Sequence, residues 1–380
     1  MAHITKLDNG KYKAVVEISN NSYERKRKTK TFVKESDAQL WLSRAITDLA
    51  DGIFIDPEKI LFNDFVDRWL DSKKPNIAAT TYDRYRNRLE AHMKPFFKGI
   101  TLQNIKPFHL EEYFSIKRRE GRKDGKEGGL SENTLKKHYV IINNVFKKAI
   151  KLKMIKYNPV KSIDSPKVKK KKAPVMSGVE FNKLLDVIKE DLFMFTFVLT
   201  DFFTGMRRSE ILGLEWEDIN LEEGIIHVRK RLVTVKGGIK HEEKTKTESS
   251  NRKIKISDKL ISVLNKYRKE KLRLRLSLGD EYNDSKDFVF CRPDGKPYYP
   301  KFYNDKLNSY LDKAGLPQKY TIHTLRHTFA TINLKNKIEP KIIQEMLGHS
   351  TISTTLDIYS HVDTNMQKEA VNKMDKMINF

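Results

Sequence analysis

The chain has 380 residues, with 74 Lys and Arg against 50 Asp and Glu, a formal net charge of +24. A single cysteine, Cys291, excludes an internal disulfide and a Cys-rich zinc module and fits a reducing compartment. The longest apolar stretch, between Asp191 and Asp201, falls short of the ~18–20 residues of a membrane span, and the first residues lack the apolar core of a signal peptide. So large a positive charge points to a polyanionic partner, because neutralised phosphates release condensed counterions.

In chain order, residues 1–56 read as a small strand-rich unit. Lys11–Ile18 and Lys28–Val33 have strand composition around the polar Asn20-Asn21-Ser22 turn, and Ser36-Asp37 caps a helix with Leu40, Trp41, Ala45 and Leu49 at helical spacing. The basic cluster Arg25, Lys26, Arg27, Lys28 and Lys30 projects from this sheet as a candidate nucleic-acid contact. Residues 57–160 read as all helix and form the most basic folded segment, with 23 basic and 12 acidic side chains. Tyr82, Tyr85, Leu89 and Met93 make one core stripe; Leu135, Tyr139, Ile142, Phe146 and Ala149 make another. Arg84 and Arg88 share a different face, and Lys136, Lys137, Lys147 and Lys148 lie off the second stripe, so these side chains are candidates for phosphates. Gly121–Gly129 is a loop. Residues 161–172 end in Lys169, Lys170, Lys171 and Lys172 and read as a basic interdomain linker able to lie along a phosphate backbone.

Residues 173–380 mix helices with a short sheet. Ser177–Lys189 and Leu192–Thr204 read as helices. Gly224–Val228 and Arg252–Ile256 read as strands, with Gly237-Gly238 turning the chain between them, and Leu260–Leu276 and the stretch from Tyr320 return to helix. The fold class expected is multidomain and mainly α with small β-sheets: an N-terminal three-stranded sheet plus helix, an all-helical domain, and a C-terminal α+β domain.

Four clusters in the last segment carry chemistry. Thr204-Gly205-Met206-Arg207-Arg208-Ser209-Glu210 sets an arginine at a helix start, where its guanidinium and backbone N–H groups can receive an oxyanion, and Glu210 can orient it. His323-Thr324-Leu325-Arg326-His327 places His323 and Arg326 on one helix face. His323 and His327 also have metal-ligand spacing, but Thr324 stands where a zinc protease has glutamate, and no Cys or carboxylate cluster lies nearby. Leu347-Gly348-His349 and Asp357-Ile358-Tyr359 follow, close enough for a turn and a short helix to bring His349 and Tyr359 together.

In this order and spacing the clusters resemble the tyrosine recombinase (phage integrase) family across 173–380. The upstream layout resembles integrases of phages and conjugative transposons: an arm-site DNA-binding domain (1–56), a core-site DNA-binding domain (57–160), the linker, and a catalytic domain with a C-terminal tail. The family also uses a lysine on a strand turn. Its Lys-Thr, Ser, Arg run fits best from Lys246, and Lys244 begins a second Lys-Thr pair that fits less well.

The resemblance implies strand exchange through a covalent 3′-phosphotyrosine. Tyr359 is then the nucleophile, His323 its proton acceptor, Lys246 the general acid, and Arg207, Arg326 and His349 the groups that stabilise charge on the phosphate. It implies no cofactor and no metal. It also implies double-stranded DNA with core and arm sites as partner, a homo-tetramer on DNA, accessory DNA-bending or excision proteins, and a bacterial cytoplasmic, nucleoid-associated setting without membrane contact. A type IB topoisomerase uses the same constellation but normally lacks the N-terminal unit. A noncatalytic DNA-binding regulator or a metal-dependent nuclease would also suit a chain this basic.

Overall fold

Three antiparallel strands open the chain, β1 (Ala2–Lys6), β2 (Tyr12–Ser19) and β3 (Arg25–Phe32), in the order β1-β2-β3. The computed structural model describes residues 2–19, 25–50, 60–169, 173–235, 237–242 and 250–356. Alternation along β2 buries Ala14 and Val16 on the side where α1 (Glu35–Ala50) packs; there Ala38 and Ala45 are buried and the Trp41 ring lies 6.0 Å from Phe32. Leu40, expected on that apolar face, is exposed. Val16 pairs with Lys28 and Ala14 with Lys30, so both lysines emerge on the helix side, while Arg27, Thr29 and Thr31 take the opposite face. The basic cluster of β3 is therefore divided between two faces.

The helical segment comprises α2 (Phe62–Lys73), α3 (Ala79–Arg88), α4 (Lys94–Phe96), α5 (Pro107–Glu120) and α6 (Glu132–Lys151). A π turn at Leu89–Met93 joins α3 to α4 and ends two residues before Pro95, which has no N–H to give the ladder. The predicted stripes close the core: Leu89 and Met93 meet Phe62, Trp69, Phe97 and Tyr113, and Leu135, Ile142, Phe146 and Ala149 line α6. Part of the expected linker, 161–172, belongs to this core, since Ile163 is buried in it beside Val160 and Lys136 Nζ donates to Ser165 Oγ.

By Cα packing the chain divides into two units, Met1–Lys169 and Lys170–Phe380. In the second, α7 (Gly178–Ile188), α8 (Leu192–Thr204) and α9 (Arg208–Leu212) precede the strands. Strands β4 (Ile219–Asn220), β5 (Ile225–Val228) and β8 (Arg252–Lys255) form one antiparallel sheet in that order. Gly237-Gly238 does not turn the chain from β5 to β8. It sits in a separate hairpin of β6 (Arg231–Val235) and β7 (Gly238–Glu242), inserted while β5 and β8 pair directly, Val228 with Arg252. Helices α10 (Asp258–Leu278), α11 (Pro300–Lys313), α12 (Ile322–Lys335), α13 (Pro340–Leu347) and α14 (Ile352–Leu356) complete the unit. Apolar nearly all round, α8 packs against both α10 and α12. Among the described residues no helix is long and apolar enough to cross a membrane.

Candidate active site

Two glycines bring the arginines together. Gly205 ends α8 in the left-handed region (φ 58°), and a Cβ there would lie 2.7 Å from Phe329 Cδ1 and 2.8 Å from Leu347 Cδ2. Only glycine allows both the turn and this approach to α12 and α13. Its carbonyl accepts from Arg326 Nη1 at 2.6 Å, and the Leu347 carbonyl accepts from Arg326 Nη2 at 2.9 Å. Gly348 ends α13 at φ 64°, and its carbonyl accepts from Arg207 Nη2 at 2.6 Å. Two guanidinium groups thus meet on consecutive carbonyls, beside His349.

The arginines differ in access. Arg207, at the N-cap of α9, keeps its side chain 35% exposed; Arg326 is buried. Burial, with repulsion from Arg207, lowers the Arg326 guanidinium to about 9, so it remains a cation at neutral pH. Glu210 supports Arg207: Oε1 accepts from Arg207 Nη1 at 2.6 Å, and Oε2 accepts from the Arg207 backbone N–H at 2.9 Å. Burial pushes the Glu210 carboxyl up, but Arg252 and Arg207 outweigh it and hold the group below the ordinary glutamate range.

His323 stands one turn before Arg326 on α12, with its side chain open to solvent. Partial desolvation, then the positive field of His327, Arg326, Arg208 and Arg207, lowers it to about 4. His349 is half-buried and also lowered to about 4, by desolvation and then by Arg326 and Arg207. Both rings are neutral at pH 7. His349 Nδ1 shares a 2.9 Å hydrogen bond with Thr355 Oγ1; with the hydroxyl as donor, Nε2 carries the proton and can donate. The His323 and His327 rings sit edge to face, centroids 4.5 Å apart, and no group of three metal-ligating side chains occurs among the described residues.

Arg207, His323, Arg326 and His349 are therefore brought together. Tyr359, Lys246 and Lys244 lie outside the described residues. Sequence reasoning passed over Arg252, whose guanidinium reaches Glu210, and Asp201, a wholly buried carboxyl on α8 with neither oxygen hydrogen-bonded. Alternation held a signal for the first: Arg252 shares its face of β8 with buried Ile254, an unusual place for a solvated cation.

Residues 175–366 match the model of the phage integrase family, and 61–117 match the phage integrase N-terminal SAM-like domain. The chain belongs to the phage integrase family, the tyrosine recombinases. As a tyrosine recombinase it is a site-specific DNA recombinase, not a topoisomerase-like enzyme or a noncatalytic regulator. A XerC-like tyrosine recombinase of Caldanaerobacter subterraneus subsp. tengcongensis is 26% identical over 395 residues, covering 98% of each chain. The ICEBs1 integrase of Bacillus subtilis is 26% identical over 306 residues, 80% of this chain and 79% of its own. Among solved structures, the Tn1549 transposon integrase in complex with transposon right end DNA shares the fold, with a TM-score of 0.66 at 20% identity over 82% of this chain and 99% of that one.

The candidate DNA contacts of this recombinase are unequally available. Arg84 and Arg88 lie four residues apart on α3, and burial followed by repulsion from Arg84 lowers Arg88. Lys117 and Lys123, which carry no signal in the sequence pattern, join Arg88 in repelling charge from His92, so these cations crowd one region. None of the four has an ion-pair partner among the described residues, whereas Arg86, Arg118 and Arg122 do. Lys136 is engaged with Ser165 and lies 5.4 Å from the Tyr139 ring centre; Lys137 is exposed. In the N-terminal sheet Arg27 and Lys30 are exposed and Lys28 is half-buried. The side chains of Arg25 and Lys26, and Lys170, Lys171 and Lys172 entirely, lie outside the described residues, while Lys169 is exposed at their edge.

Proposed function

We propose that this recombinase cuts and rejoins duplex DNA through Tyr359, integrating and excising a mobile element. The phenolic oxygen attacks the scissile phosphorus as the bond to the 5′ oxygen breaks. The phenol proton passes to neutral His323, and Lys246, or Lys244 in its stead, gives a proton to the departing 5′ oxygen. Arg207 and Arg326 hold the non-bridging oxygens, and His349 donates from Nε2. The products are a 3′-phosphotyrosine and a free 5′ hydroxyl. Attack by a 5′ hydroxyl of the partner duplex reverses the step and needs no nucleotide.

The observation that carries this reading is the meeting of the Arg207 and Arg326 guanidiniums on the consecutive Leu347 and Gly348 carbonyls. Three guanidiniums, Arg207, Arg252 and Arg326, stand around one ionised carboxylate, Glu210, which leaves a surplus of positive charge suited to a phosphate. The helical segment grips the core site through Arg84, Arg88, Lys117 and Lys123, and the N-terminal sheet binds arm sites. The basic run at 169–172, between the helical segment and the C-terminal domain, follows the phosphate backbone. Four protomers act on two duplexes in a bacterial cytoplasm, with accessory DNA-bending or excision proteins choosing the direction.

A nicked suicide duplex carrying the end sequence of the element tests the proposal. Wild-type protein is expected to leave a covalent protein–DNA adduct on a denaturing gel, in chelator as well as without it, and Tyr359→Phe to leave none. An adduct that survives in Tyr359→Phe would refute the assignment.

A further inference from the structure

We infer that Arg252 is a positioning residue that sets the phosphate clamp through Arg207. Its side chain is 7% exposed, so it does not touch DNA, yet its fork is committed to two other elements and to the chain leading into its own strand. Nη2 donates to Glu210 Oε2 on α9 at 2.9 Å, Nε donates to the Met346 carbonyl on α13 at 2.5 Å, and Nη1 donates to the Ser250 carbonyl before β8 at 3.1 Å. The α9 contact divides the Glu210 carboxylate: Oε2 serves Arg252 and the Arg207 backbone N–H, leaving Oε1 for Arg207 Nη1. The α13 contact anchors the turn whose next two carbonyls, Leu347 and Gly348, orient Arg326 and Arg207.

Removing the fork releases both constraints. Glu210 then has undivided charge with which to draw Arg207 away from a phosphate, and the turn before His349 loses its tie to β8. Lysine preserves the charge but not the geometry, because one ammonium on a flexible stem cannot serve three acceptors held by a planar fork. The role is distinct from catalysis: Arg252 acts on the reacting phosphate only indirectly, by fixing where Arg207 and the turn before His349 lie.

The inference rests on the proposed assignment of Arg207 as a phosphate clamp, and the test separates the two. Full-length protein is given two suicide duplexes, one with a normal scissile phosphodiester and one with a methylphosphonate there. In the second, a methyl group replaces a non-bridging oxygen and removes the charge that Arg207 neutralises. Wild type against Tyr359→Phe on the phosphodiester checks the proposed chemistry itself. Arg252→Lys is expected to bind the duplex like wild type and to form adduct about 100-fold more slowly on the phosphodiester, the scale of a displaced catalytic group. On the methylphosphonate its deficit against wild type shrinks to about threefold, because the displaced oxyanion donor is no longer needed. Should Arg252→Lys fail to fold, Glu210→Gln loosens the same bridge from the other side and is expected to show the same substrate dependence. Equal deficits on both duplexes, or no deficit on the phosphodiester, would overturn the inference while leaving Tyr359 chemistry intact.

Discussion

Asp201 places a carboxyl where nothing hydrogen-bonds it, and burial raises its pKa well above the ordinary aspartate value even though Arg326 pulls the other way. The folded state therefore keeps this proton to higher pH than the unfolded chain, which releases it above about pH 4, and over that interval folding takes up a proton as the group is buried. That uptake costs nothing below the unfolded value and grows as pH rises through the interval up to the folded one. Asp201→Asn needs no proton and is expected to raise the unfolding midpoint at pH 7 by a few degrees. The gain should vanish near pH 4. A lower midpoint at pH 7 would mean that Asp201 is ionised and serves Arg326 as a counter-ion. The histidines titrate in the opposite sense. His323 and His349, lowered to about 4, stay neutral down to mildly acidic pH. The kcat/KM for adduct formation is therefore expected to hold level from pH 8 to 6 and to fall only as pH nears 4, when His323 loses its acceptor. A fall centred near the unperturbed histidine value of about 6.5 would assign the proton acceptor elsewhere.

At the level of elements, the catalytic unit depends on how helix ends are tied. Ser177 and Glu180 form a capping box at the start of α7: Ser177 Oγ accepts from the Glu180 backbone N–H at 3.2 Å, and Glu180 Oε2 accepts from the Ser177 backbone N–H at 2.8 Å. Glu180 Oε1 also accepts from Tyr320 Oη at 2.7 Å, tying α7 to the residues just before α12. These bonds, from Tyr320 first and then Ser177, lower the Glu180 carboxyl to about 2, so their contribution is present above the ordinary glutamate value and is lost as pH falls toward 2. Glu180→Ala is expected to cost about 1–2 kcal/mol in denaturant unfolding at pH 7, with the difference fading at low pH. An effect independent of pH would leave packing, not the cap, as the cause. Helices, strands and the Arg, His, Arg, His set were legible because periodicity and motif spacing are local properties. Less legible were features decided by register or by distant partners. Alternation in Arg252-Lys253-Ile254-Lys255 sets Arg252 on the face of Ile254, but only the packing of the paired β5–β8 sheet turns that face inward. Lys28 and Lys30 read as one patch with Arg27 until β3 pairs with β2. The β6–β7 hairpin hid behind a glycine pair that suits a turn in either topology, and Ile163 looked like linker until the helical core covered it.

Across the whole molecule, charge decides how the recombinase meets DNA. The excess of 24 positive charges is concentrated in the helical segment and the run that follows it, and there Arg84, Arg88, Lys117 and Lys123 lack carboxylate partners among the described residues. Uncompensated cations on a folded surface cost stability through mutual repulsion, and a phosphate backbone relieves that repulsion while shedding its own counterions. Binding to duplex DNA should therefore be dominated by phosphate contacts and fall steeply with salt. If 6–10 phosphates are neutralised, the slope of log affinity against log salt is about −5 to −9, and raising salt from 50 to 200 mM costs roughly three to five orders of magnitude in affinity. Replacing Arg88 and Lys117 with Gln should flatten that slope by about 2, if each meets one phosphate, and weaken specific and nonspecific duplexes alike. Arg207→Gln should leave the slope nearly unchanged while abolishing adduct. Fluorescence anisotropy across a salt series measures both, and an unchanged slope in the Arg88, Lys117 double variant would remove that patch from the DNA interface.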